Sequence, residues 1–237
     1  GELWKKLTAL DLYRIASGTK GDTVTTAPVT GSGAETTVAV SAITNFTAAD
    51  PAFIIGDGGM ELTKIGTPNV SMPVTPPPKI AQSSGARFVE AVKVSLGRIQ
   101  QNSVSWTANR SLQAVFEEIG DAAVVYIPST IEFSLAFSLM GYNGPNVQLL
   151  TGYAEAETGD GAAEATAYQS LVGGVNQALQ TEQVFRVQGL RYDAKKVQID
   201  FLNAQIEAAI NSQLGREQPA VLNGTAKASA IIIRQWI

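Results

Sequence analysis

Few side chains in this sequence could do chemistry. Its 237 residues include neither cysteine nor histidine. The first absence removes disulfides, thiolate nucleophiles and zinc–thiolate sites. The second removes the commonest general base and the commonest transition-metal ligand. Catalysis would have to rest on carboxylates, lysine or tyrosine. Glu117-Glu118 is one acid/base candidate, but adjacent side chains diverge on helix or strand, so the two read as a solvated pair. Gly31-Ser32-Gly33 and Gly56-Asp57-Gly58-Gly59 could suggest phosphate loops. Neither has the glycine and lysine spacing such loops need between a strand and a helix, so both read as turns. Asp57 lacks the run of oxygen ligands that a calcium loop brings. Trp4, Trp106 and Trp236 read as core or interface anchors rather than base-stacking platforms. The expectation is a protein without catalytic residues, cofactor or metal.

Composition points the same way. Apolar residues make up 45% of the chain, enough for a folded core, and charged residues only 16%. The bias towards Gly, Ala, Ser, Thr and Val favours strands and turns over charged helices. It also suits a protein that covers much of its surface with copies of itself. The net charge is −4, and the only adjacent basic pairs, Lys5-Lys6 and Lys195-Lys196, read as solvated faces. A sequence-reading nucleic-acid binder would carry a basic footprint. No apolar run is long enough to span a membrane, and residues 1–16 lack the apolar core of a secretory leader.

The elements that must position any site divide the chain into four stretches. Residues 1–20 hold a helix or arm: in ELWKKLTALDLYRIA, Leu3, Leu7, Leu10 and Arg14 share a side, and Ser17-Gly18 ends it. Residues 21–74 form a small β-rich unit, with strands at Thr36–Val40, Ala52–Ile55 and Met60–Ile65 and a hairpin turn at Gly56–Gly59. Pro73, Pro76, Pro77 and Pro78 mark 75–86 as an extended linker. From 87 to 237 the alternation of a β-sandwich is sustained. Phe88, Val92, Val94 and Leu96 would share one face, with Ala91 on the other. Asn109–Gly120 has a helix-like rhythm but reads equally as a loop between strands, and 153–181 reads as an exposed connection. Val184–Val187 and Lys196–Phe201 alternate around a turn at Arg191–Ala194. Asn203–Leu214 favours a strand that changes face after Leu202. A final strand is expected from Thr225 to Ile237.

The clearest signal lies in the middle. Ile131, Phe133, Leu135, Phe137 and Leu139 alternate with Glu132, Ser134, Ala136 and Ser138, the period of a half-buried strand. A turn-rich GYNGP stretch follows, then Asn146–Leu150, which could form a short helix capped by Asn143 or Asn146 and stopped at Gly152. This TIEFSLAFSL–GYNGPNVQLLTG succession, with the all-β tail behind it, resembles the tail tube (major tail) proteins of tailed bacteriophages. The resemblance covers roughly residues 80–237. The β-rich 21–71 segment departs from the simplest family members.

The resemblance implies a mainly β, tube-type β-sandwich whose strands join those of neighbours in a ring, usually a hexamer. Rings stack into a tube that conducts genome DNA during ejection. The partners would be sister copies and other phage tail proteins. Assembly would take place in the bacterial host cytoplasm, and the finished protein would reside in the virion. A channel for sliding DNA should bind phosphates weakly, which serine, glutamine and acidic side chains favour over lysine. On that basis Glu132, Ser134, Ser138, Asp200, Gln205 and Glu207 are the expected lumen-facing residues. The rival expectations are another virion subunit (connector, capsid decoration or baseplate) and a carbohydrate-binding β-sandwich. Sparse aromatics, 7% of the chain, speak against the last.

Overall fold

Every regular element among the described residues is a β-strand. The computed structural model describes residues 5–116, 123–140, 154–158, 169–172, 183–208 and 221–237. In chain order the strands are β1 (Lys6–Ile15), β2 (Asp22–Val24), β3 (Thr37–Ala39), β4 (Pro51–Gly56), β5 (Gly59–Ile65) and β6 (Ser71–Thr75). Then come β7 (Arg87–Val94), β8 (Arg98–Ile99), β9 (Ser105–Phe116), β10 (Ala123–Met140), β11 (Ala154–Thr158) and β12 (Gln169–Val172). The last are β13 (Gln183–Leu190), β14 (Lys196–Leu202), β15 (Gln205–Ala208), β16 (Val221–Ala228) and β17 (Ala230–Gln235).

Two units hold these strands. The first comprises Gly1–Ser95, Thr181–Ala204 and Ile231–Ile237; the second comprises Leu96–Gln180 and Gln205–Ala230. The first unit is a curled antiparallel sheet, a half-barrel, in the order β17-β14-β13-β1-β7-β4-β5-β6-β3, with β2 added beside β7. The second unit is a sheet in the order β15-β16-β10-β8, with β9 also on β10, plus the β11–β12 hairpin.

The expected N-terminal helix is a strand. β1 pairs with β13 from Lys6 to Arg14 and with β7 from Leu12 to Ile15. Leu10 and Leu12 are buried, and Asp11 is held by Lys93 at 2.7 Å. The local leucine spacing suits a helix, but long-range ladders and burial on a central strand outweigh a propensity worth only tenths of a kcal/mol per residue. The same override acts at 109–116, which is strand β9 rather than helix or loop. Strand β10 runs on through Pro128-Ser129, with a register shift against β9 between Pro128 and Thr130. The short helix expected at 143–150 lies outside the described residues.

The β4–β5 hairpin forms where Gly56–Gly59 predicts it, with Asp57-Gly58 as the two turn residues. Residues 79–83 fold back over it. Lys79 and Ile80 donate backbone N–H bonds to Glu61 at 2.7 and 2.9 Å, and Ser83 donates from its N–H and hydroxyl to Asp57. Strand β7 breaks the expected alternation. Phe88, Val89, Glu90 and Ala91 are all buried, because this stretch is covered on both faces, while Val92 is exposed. A core cluster in this part of the unit packs Phe88 with Val38, Ile54, Met72 and Val74, and Phe46 leans on Phe88 with ring centroids 5.5 Å apart.

Two substitutions test this packing. Phe88→Ala should cost about 3–5 kcal/mol, the range for emptying a buried aromatic site. Gly58→Ala should cost about 1–3 kcal/mol, because its new methyl would meet the Ala81 carbonyl oxygen, which is backbone and cannot swing aside. Urea unfolding curves read both losses.

Candidate functional site

From Leu135 to Leu139 strand β10 separates its side chains as its sequence predicts, whereas Ile131, expected on the same apolar face, is exposed and Phe133 is half-buried. Leu135, Phe137 and Leu139 are buried. Glu132 is exposed, and Ser134, Ala136 and Ser138 are half-buried on the opposite face. Register extends this polar face across four strands, since directly paired residues share a face. Ser134 stands opposite Thr107 of β9 and Lys227 of β16, and Lys227 stands opposite Gln205 of β15. The next rung runs Ser105, Ala136, Thr225 and Glu207. Ser138 pairs with Asn223, and Glu132 with Asn109.

Five of the six expected lumen residues, Glu132, Ser134, Ser138, Gln205 and Glu207, therefore lie on one sheet face. Short hydrogen bonds tie this face together. Thr107 and Ser134 hydroxyls meet at 2.6 Å, and Ser138 donates to Asn223 Oδ1 at 2.7 Å. Lys227 Nζ sits 2.9 Å from Glu207 Oε2 on the neighbouring strand. That hydrogen bond raises the lysine's pKa, and the charges of Glu207 and Glu132 reinforce the shift. Among the described residues the charges on this face are Glu132, Glu207, Lys227 and, at its rim opposite Met140, Arg98. The two signs balance.

Asp200 does not belong with them. Its side chain is fully buried in the other unit, so it does not face solvent. The alternation of Lys196–Phe201 predicts one wetted face, but β14 is buried on both from Val197 to Leu202. Asp200 accepts from Arg186 at 2.7 and 2.9 Å, from Gln198, and from Arg234 Nη1 at 2.6 Å. Arg234 also holds Glu61 of β5 at 2.7 Å. Strands β17 and β5 are separated by five others in sheet order, so this ion pair joins distant parts of the curled sheet. Arg186 lies over the Tyr13 ring, 5.5 Å from its centroid.

Burial pushes the Glu61 carboxyl up, against the N–H donors of Lys79 and Ile80 and the charge of Arg234, which pull it down. Burial also raises the Tyr13 hydroxyl, with Asp11 adding to it. These groups form a structural clasp in which the carboxylates and the guanidinium Nη groups meet one another, while Arg234 Nε is buried without a partner.

Sequence reasoning missed Lys227, Thr107 and Asn223 on the polar face. The signal for Asn223 and Lys227 was present as alternation with Leu222, Gly224 and Ala226. It missed the Glu61–Arg234 pair for a different reason: the partners stand 173 positions apart, and no local pattern connects them. No protein-family model matches the chain, and a search of curated proteins returns no significant match.

Two predictions follow from the clasp. Arg234→Met should destabilise by about 3–5 kcal/mol, since it leaves buried carboxylates short of a counter-charge. Glu61 also sets a pH slope. Its folded pKa is raised, so the folded chain takes up this proton before the unfolded chain does. Its contribution to stability is present below the ordinary glutamate range and is lost as pH rises through the folded value. Glu61→Gln should flatten that part of the profile, read as chemical-denaturation midpoints between neutral and mildly acidic pH.

Proposed function

We propose that this chain is a structural subunit of a bacteriophage tail tube, acting by assembly and without catalysis or cofactor. Copies of it form a ring, and stacked rings make the conduit through which genome DNA leaves the virion. The observation that carries this reading is the polar face of the second unit's sheet. It spreads serine, threonine, asparagine and glutamine side chains over β9, β10, β16 and β15, with few and balanced charges. Such a surface is wetted but offers a polyanion little to hold.

The sheet edges support the assembly half of the proposal. β9 and β15 bound this sheet on its two sides, β9 beside β10 and β15 beside β16. Open edges recruit other strands. When the outer edge of one copy meets the opposite edge of the next, the contact is heterologous, and rotation to closure makes it a finite ring. In this reading the chain is a tube-type subunit, and the hexamer is the first symmetry to test.

Negative-stain microscopy of the purified protein at high concentration provides the test. Long hollow filaments of uniform width are expected. Isolated closed rings that never stack would favour a connector or another virion position. A dispersed monomer at every concentration would reject the reading.

A further inference from the structure

Among the described residues the second unit's polar face carries one cation in its middle, Lys227, and an acidic side chain is bonded to it. Glu207 of β15 bonds its ammonium at 2.9 Å. Glu132 of β10 lies one side-chain repeat along from Ser134, the residue directly opposite Lys227, and acts on the lysine electrostatically. Both pair members are well exposed, with 61% of the Lys227 side chain and 70% of the Glu207 side chain accessible. An ion pair so exposed contributes little to folding. Its effect must be sought at the surface.

We propose that Glu207 and Glu132 guard Lys227, masking the central positive charge of this face so that a passing double-stranded polyanion is not held there. The idea rests on the conduit reading and sharpens it by giving residues to the weak binding. An uncovered lysine is a phosphate ligand: each phosphate a cation neutralises releases counterions and adds close to one unit to the salt dependence of binding. In a ring the same lysine would recur in every copy, so one uncovered cation per chain becomes a circle of them facing the DNA. The neighbours Ser134, Thr107, Gln205 and Thr225 are neutral hydroxyl and amide groups and add no competing charge. Arg98 is the other cation on this face among the described residues, and it sits at the rim rather than the centre.

The experiment measures binding of a short fluorescent DNA duplex to the full-length chain, diluted until sedimentation shows it unassembled. Wild type should bind weakly. Glu132→Gln with Glu207→Gln should bind about three- to tenfold tighter at low salt. That gain should shrink about threefold between roughly 50 and 200 mM salt, the slope of one uncovered phosphate contact. Adding Lys227→Gln should abolish the gain. The charge swap Glu207→Lys with Lys227→Glu, which keeps the pair, should bind as wild type does. Neutralising two carboxylates elsewhere whose partners are neutral groups, Glu35→Gln with Asp57→Asn, controls for net charge and should leave binding unchanged.

A double variant that binds no tighter than wild type, or a gain that survives Lys227→Gln or appears equally in the control, overturns the proposal. If the double variant loses its fold by circular dichroism, Glu207→Gln alone and the charge swap make the same comparison. Filament formation is scored separately by microscopy. Tubes without the binding gain would sink the guard and spare the conduit, and a binding gain without tubes would do the reverse.

Discussion

Arg234 is the interaction on which the first unit depends. A curled sheet must bring distant strands together, and here one guanidinium does so, with its buried Nε left without a partner. Its two terminal nitrogens reach Asp200 of β14 and Glu61 of β5, both buried. Each carboxylate is then completed by others: Asp200 by Arg186 and Gln198, Glu61 by the N–H groups of Lys79 and Ile80. The loop that follows the prolines is thereby fastened to the hairpin beneath it. Buried charges of this kind add little net stability over an apolar core, but losing one partner is costly. They act chiefly by permitting one arrangement and penalising others.

The second unit solves a different problem. Its sheet has one face buried through Leu135, Phe137, Leu139, Leu222 and Ala226, and the other left to polar side chains. Where the first unit concentrates charge in the interior and matches it, the second dilutes charge on its polar face and balances it. The chain passes between the two sheets at short junctions. Asn203, with positive φ, and Ala204 separate β14 from β15, and Ser229 alone separates β16 from β17. Sister strands on one continuous segment thus serve both a matched interior and a low-charge face.

The alternating stretches were legible before any coordinates. β10 from Ile131 to Leu139, the β4–β5 hairpin with its Asp57-Gly58 turn, β13 and β14 all follow from a period of two and from turn chemistry, which are local properties. Most of the polar face was legible too, because Glu132, Ser134 and Ser138 alternate with large apolar residues. Where pattern misled, tertiary partners were responsible. Residues 6–15 have leucines at helical spacing, yet β13 supplies a ladder from far along the chain. Asp200 alternates correctly with Ile199 and Phe201, but its strand is covered on both faces.

What the sequence determined by itself is therefore the β character of the chain, the positions of its clearest strands and turns, and the absence of thiol and imidazole chemistry. Alternation and composition carry these because they depend on each residue and its near neighbours. Tertiary structure alone decided which acidic residues meet water and which meet arginine, that the N-terminal segment is a central strand, and that Glu61 and Arg234 meet. Those outcomes depend on register and on how the sheet curls, which bring together residues whose separation along the chain leaves no mark in either one's surroundings.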